Sequence, residues 1–166
     1  MPLSTTRTRL ALFALALAAR RLIAPNAGLV AAGFTVTCCM AALSMFMPMR
    51  IDHHNWQLTF LVLGIAGIAD LKARRGGITM GLASAASLTI GLELLPFLVI
   101  MGAATVLRWV WQPEDRDRLS GYGLSLAGGC AVGYLGFASY ANAVPRCDVL
   151  SPVWLGAMVA AGWVAW

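Results

Sequence analysis

Residues 50–57, with the sequence RIDHHNWQ, hold the densest group of chemically active side chains in the chain. Asp52 offers a carboxylate that can act as a general base or a metal ligand, and His53 and His54 offer imidazoles. Arg50 carries the planar guanidinium that suits a phosphate oxygen. Long apolar stretches flank this segment on both sides. These residue types predict either a polar turn between two helices or the polar floor of a site.

Helical spacing limits which of these side chains can act together. On a helix that begins near Asp52, His53 and Gln57 share a face because they are four residues apart. Adjacent histidines on a helix point about 100° apart, so we expect His53 and His54 not to share one metal ion unless the backbone is irregular. We expect Asp52 or Asn55 to cap this helix.

A second acidic side chain, Glu93, lies in the segment IGLELLP at residues 90–96, between two apolar stretches. A carboxylate inside the hydrocarbon of a membrane costs roughly 2.5–3.5 kcal/mol on insertion scales, so such an acid usually has a purpose. Glu93 is therefore expected either to complete a site with Asp52 or to lie at the interface, paired with Arg50. Asp148 is expected to cap the final helix.

The composition indicates the class of protein that must position these side chains. Hydrophobic residues make up 60% of the 166 positions, charged residues make up 11%, and the mean hydropathy is +0.77. Soluble domains carry roughly 25% charged residues. We predict an all-α, polytopic helical membrane protein with about five to seven membrane helices and short loops. Its partner is then the lipid bilayer, and the net charge of +5 sets topology instead of binding nucleic acid.

The apolar stretches place these helices within one transmembrane domain over residues 1–166. Residues 1–26 contain a short apolar run that we expect to be a short helix, a partial span or a signal sequence. A single helix kinked at Pro96 is the alternative to two short spans that turn at Glu93. The spans of the bundle over residues 27–166 are predicted at residues 27–47, 56–71, 77–91, 94–111, 121–141 and from residue 153 onward.

Three other features are expected to be structural. Asp70 lies four residues before Arg74, which is the spacing of a helical ion pair. Residues 112–118 form a mixed-charge loop that we expect to be solvated. A series of glycines on one helix face lets helices approach closely, within the chain or between chains of an oligomer. Its members are Gly129, Gly133 and Gly136.

The positive charges predict the orientation of the bundle. Placing residues 50–57 outside puts most basic residues inside, as the positive-inside rule requires. The residues that then share the extracytoplasmic face are Asp52, His53, His54, Glu93 and Asp148. The basic residues on the predicted inner side are Arg20, Arg21, Lys72, Arg74, Arg75, Arg108, Arg116 and Arg118.

Three motifs resemble a family of bacterial multipass membrane proteins: RIDHHNxQ at residues 50–57, IGLExLP at 90–96 and CDxxSP at 147–152. In layout this family is similar to GT-C type glycosyltransferases, the class of oligosaccharyltransferase catalytic subunits. The resemblance implies transfer of a sugar from a polyprenyl-phosphate carrier at the extracytoplasmic face of the inner membrane. It also implies an earlier outer loop with a first catalytic acid, which nothing before residue 27 supplies. The chain is therefore expected to be part of a longer protein or a shortened relative.

The resemblance also implies roles for the site residues of a GT-C-like glycosyltransferase. Asp52 and Glu93 are catalytic, and Asp52 with His54 binds a divalent metal ion, Mg or Mn. Two alternatives stay open: a non-catalytic multipass membrane protein, such as a transporter fragment or structural subunit, and a metal or haem binder that uses both histidines. The residues expected to contact the substrate are Arg50, His53, His54 and Gln57.

Overall fold

The computed structural model describes residues 2–38, 44, 46 and 53–165, with only the backbone of residues 2–5 and 141. Regular structure in this part of the chain is helical, without strands, so the all-α prediction is confirmed. Among these residues, no helix combines the length and the apolar character that crossing a membrane requires. The helices are α1 (Pro2–Leu22), α2 (Ala27–Cys38), α3 (His54–Ile68), α4 (Ala73–Ile90), α5 (Leu95–Trp111), α6 (Arg116–Phe137) and α7 (Pro152–Val164), with short 3-10 helices at Pro113–Asp115 and Tyr140–Ala143.

A turn at residues 91–94 separates α4 from α5. The backbone N–H of Gly91 makes the last hydrogen bond of α4, to the carbonyl of Ser87. Pro96 lies in the first turn of α5, where its missing N–H leaves no helical hydrogen bond unmade. The prediction of two helices that turn at Glu93 is therefore confirmed, and the alternative of one kinked helix is wrong.

From α3 onward, successive helices run in opposite directions, which sorts the connections to two ends of the bundle. Gln57, at the start of α3, contacts Gly91 after α4. Gly67, near the end of α3, packs against Gly76 near the start of α4. We call the end that holds Gln57 and Gly91 the Glu93 end. The opposite end, which holds Gly67 and Gly76, is the Asp70 end. Residues 138–151, which join α6 to α7, also lie at the Glu93 end.

Helices α4 and α6 run parallel and pack closely along small residues. A Cβ added at Gly77 would meet the backbone of α6, and one at Gly129 would lie 2.6 Å from the Cβ of Ala85. Gly133 likewise packs against α4, whereas Gly136 has open space around its Cα. The predicted packing role is confirmed within the chain for Gly129 and Gly133, whereas Gly136 contacts no other helix among the described residues.

Ion pairs at the Asp70 end join α1 and α4 to the connection that follows α3. The buried Asp70 carboxylate lies 2.7 Å from Nη2 of Arg21 in α1 and 2.7 Å from Nε of Arg75 in α4. Its Oδ1 also accepts hydrogen bonds from Arg75 Nη2 and from the backbone N–H of Lys72. The predicted pairing with Arg74 is wrong, because Asp70 lies in the connection between two helices, where the four-residue spacing of a helix does not apply.

Arg118 of α6 also lies at the Asp70 end. It is buried, with 1% of its surface exposed. Its Nη1 and Nη2 donate to the carbonyls of Gly67 and Asp70, at 2.8 Å and 2.7 Å, and its Nε donates to Asp115. The Gly67 carbonyl also accepts a hydrogen bond from the backbone N–H of Asp70 at 3.1 Å, so Arg118 adds a second donor there and supplies the donor for the Asp70 carbonyl. Asp115 and Arg118 are buried, so the prediction of a solvated loop at residues 112–118 is wrong at these two positions.

Candidate functional site

The start of α3 and the turn after α4 bring three of the predicted site residues together. His53 Nε2 lies 3.2 Å from Glu93 Oε1. Gln57 Nε2 donates to Glu93 Oε2 at 2.6 Å and to the carbonyl oxygen of Gly91 at 3.2 Å. His53 and Gln57 are one helical turn apart, so both face the turn at residues 91–94. The structure thus joins two segments that lie 40 residues apart in the sequence.

The beginning of α3 differs from the prediction. His53 is the N-cap residue, with φ −84° and ψ −17°, and its side chain makes no capping hydrogen bond. Asn55, which we expected as one possible cap, lies within α3 and is buried. Arg50 and Asp52 lie outside the described residues, so their roles in catalysis, phosphate contact and metal binding, and the capping role expected of Asp52, stay predictions.

Gln57 is buried beneath Glu93 and fixes the position of its carboxylate. The Glu93 carboxylate and the Gly91 carbonyl only accept hydrogen bonds, so the amide NH₂ of Gln57 must face both. Its Oε1 is then buried without a hydrogen-bond donor among the described residues. A buried acceptor in this state costs about 1–3 kcal/mol. The site therefore keeps Glu93 oriented although one amide oxygen is unsatisfied.

The charge state of Glu93 follows from these neighbours. Partial burial raises the pKa of Glu93, but hydrogen bonds from Gln57 and from His53 lower this pKa by more, and the result lies below the ordinary value. Glu93 is consequently ionised at neutral pH. Its side chain is 45% exposed and that of His53 is 52% exposed, which leaves the carboxylate and the imidazole accessible to a solute.

His54 joins this group by stacking on His53. The ring centroids lie 4.4 Å apart with an interplanar angle of 25°. The potential ligand atoms of His53, His54 and Glu93 all lie within 4.8 Å of one another. The expected divergence of the two imidazoles is wrong, because the 100° angle describes the directions of the Cα–Cβ bonds and side-chain torsions bring the rings together.

The third motif, CDxxSP at residues 147–152, does not cap α7 in the way that we predicted. Ser151 is the N-cap residue of α7, and no side chain caps that helix, so the capping role expected of Asp148 is wrong. Asp148 is exposed in the connection at the Glu93 end. Sequence analysis also missed the carbonyl of Gly91 as a partner of Gln57. The signal was present, since a glycine directly after an apolar helical stretch indicates a helix end with unsatisfied carbonyls.

An ionised carboxylate next to two imidazoles can bind a cation, and each of the three groups can take up a proton. The buried amide behind them restricts the carboxylate to one orientation.

No protein-family model, curated protein or solved structure matches this chain.

Proposed function

We propose that this chain is a GT-C-like membrane glycosyltransferase, or part of one, that takes a sugar from a polyprenyl-phosphate carrier at the extracytoplasmic face. The observation that supports this most directly is the contact of His53 and Gln57 with Glu93. These residues belong to two separate motifs, RIDHHNxQ and IGLExLP, on which the resemblance depends. Their contact is what a shared site built from both motifs requires.

A location in the inner membrane is part of the same proposal. Large apolar side chains on the outer faces of the helices are exposed, among them Leu29 of α2, Ile100 of α5 and Leu135 of α6. Such surfaces favour a lipid environment over water. Basic side chains are concentrated at the Asp70 end, which favours that end as the cytoplasmic one and the Glu93 end as the outer one.

An apolar cavity supports a lipid-linked donor. It has a volume of about 340 Å³ between α4, α5, α6 and α7 and is lined by Leu95, Leu126 and Met158, among others. Leu95 lies only two residues after Glu93. In this proposal the hydrocarbon chain of the carrier follows the cavity, and its phosphate reaches the polar group at the Glu93 end.

The proposed reaction is a displacement at the anomeric carbon. Asp52 takes a proton from the acceptor as the acceptor forms its bond to that carbon. The bond from the sugar to the carrier phosphate breaks, and its electron pair goes to the phosphate oxygen. Arg50 and His53 stabilise the charge that develops there. Glu93, held by Gln57, fixes His53 in place.

The test is transfer of labelled sugar from a set of polyprenyl-phosphate and polyprenyl-diphosphate carriers by the full chain in lipid vesicles. Asp52→Asn removes the proposed base and is expected to lower the transfer rate roughly 10²- to 10⁴-fold. Glu93→Gln loosens the position of His53 and is expected to lower the rate about 10²-fold. Glu114→Gln changes an exposed carboxylate at the opposite end and is expected to leave the rate unchanged. Equal rates in Glu93→Gln and the wild type would overturn the proposal, as would a wild-type chain that neither binds nor uses any of these carriers.

A further inference from the structure

We infer that His53, His54 and Glu93 form a binding site for Zn²⁺, in place of the Mg or Mn that the resemblance implies. The site lies at the same end of the bundle as the proposed transferase site. The inference does not depend on sugar transfer, because it follows from the ligand atoms and their positions alone.

The distances suit a small divalent ion. Zinc binds imidazole nitrogen at about 2.0–2.1 Å and carboxylate oxygen at about 2.0–2.2 Å, which places tetrahedral ligand atoms roughly 3.4 Å apart. His53 Nε2 and Glu93 Oε1 are already separated by 3.2 Å. All three ligand atoms lie within 4.8 Å of one another, so the remaining adjustment is at most about 1.4 Å. Small changes in the side-chain torsions of the three ligands can supply it.

Gln57 acts as the outer hydrogen-bond partner of the ligand set. Its amide donates to Glu93 Oε2 at 2.6 Å, which leaves Oε1 directed at His53. The same amide is anchored to the Gly91 carbonyl and is completely buried. Partners of this kind orient carboxylate ligands, and their loss typically lowers metal affinity about 10- to 100-fold.

The ligand chemistry selects the metal. Two imidazoles and one carboxylate are the protein ligands of one common kind of catalytic zinc site, in which the fourth position holds water or substrate. Mg²⁺ prefers oxygen ligands in an octahedron and retains several waters, so two imidazoles suit it poorly. About half of the His53 and Glu93 side chains is exposed, which leaves room for water or a phosphate oxygen at the fourth position.

The experiment is equilibrium dialysis of the purified full chain against Zn²⁺ with Mg²⁺ in excess, followed by metal analysis and by the visible spectrum after replacement with Co²⁺. The wild type is expected to retain one zinc ion per chain. His54→Ala and Glu93→Gln should each lower zinc affinity at least tenfold, and Gln57→Leu should lower it about 10- to 100-fold. Asp148→Asn, at the same end but outside the ligand set, and Cys147→Ser, which removes an exposed thiol, are expected to bind zinc as the wild type does.

Circular dichroism establishes that each variant retains its helix content before its affinity is compared. Zinc binding with unchanged affinity in both His54→Ala and Glu93→Gln would overturn the inference, and so would a wild type that binds Mg²⁺ or Mn²⁺ more tightly than Zn²⁺. A chain that binds zinc through these ligands but transfers no sugar leaves this inference standing and contradicts only the proposed function. A chain that transfers sugar but does not bind zinc through these ligands contradicts only the zinc site.

Discussion

Acid should remove a defined part of the stability of this bundle, because Asp70 is ionised and paired in the folded chain. Its hydrogen bonds with Arg75 are the largest influence, and although burial opposes them, they lower the pKa of Asp70 from 3.8 to about 2. The backbone N–H of Lys72 and the charge of Arg21 contribute to the same lowering of the pKa. Asp70 lies in the connection after α3, and its carboxylate is completely shielded from solvent.

The magnitude follows from these two pKa values. Their difference corresponds to about 2 kcal/mol of folding free energy at neutral pH. Because the folded pKa is the lower one, the unfolded chain binds more protons between the two values. The contribution of Asp70 is therefore fully present well above pH 4 and is lost as the pH falls through about 2.

Other carboxylates also titrate in acid, so the informative quantity is the difference between the wild type and Asp70→Asn. Denaturant unfolding followed by circular dichroism should give a difference of about 2 kcal/mol at pH 7, shrinking towards zero near pH 2. Arg75→Gln should lower the unfolding free energy in the same direction, whereas Arg74→Gln, four residues from Asp70, should not. A wild-type advantage that stays constant from pH 7 to pH 2, or an equal loss in both arginine variants, would refute the reasoning.

Two further predictions concern packing. Arg118→Met should lower the unfolding free energy by about 1–3 kcal/mol in denaturant unfolding, because it leaves the Asp70 carbonyl without its side-chain donor and leaves Asp115 with Arg108 as its ion-pair partner; an unchanged unfolding free energy would contradict the buried network. Gly77→Ala should cost about 1–3 kcal/mol, since its Cβ would meet the α6 backbone. Gly136→Ala, with open space around it, is the matched control, and equal losses in these two variants would contradict the close packing of α4 and α6.

Apolar stretches and helix breakers were sufficient to predict most helices but placed several of their starts too late. Hydropathy predicts a start at residue 77 for α4 and at residue 121 for α6, whereas the helices begin at Ala73 and Arg116. The early turns of both contain arginines, which lower hydropathy while forming helix well. A hydropathy boundary therefore reports where the apolar segment begins, and the backbone helix extends beyond it.

The meeting of His53 with Glu93 was anticipated because both residues lie at helix ends that alternating direction brings to one side of the bundle. The partners at the Asp70 end were not predictable in the same way. Asp70 pairs with Arg75 because the chain leaves helical geometry between α3 and α4, so spacing no longer indicates contact. The burial of Arg118 depends on carbonyls at the end of α3, 48 to 51 residues away, which no local pattern reveals.

The two ends of the bundle differ in what their charged groups can still do. At the Asp70 end, Arg118 and Asp70 are buried and bonded to several partners, so a new ligand would have to displace existing bonds. At the Glu93 end, imidazole and carboxylate are half exposed, and each can accept a cation. Helix α4 connects the two, since Arg75 lies near its first residue and Gly91 follows its last. The bonds at the Asp70 end and the close packing of α4 on α6 thus position the Gly91 carbonyl, and through Gln57 they position the Glu93 carboxylate.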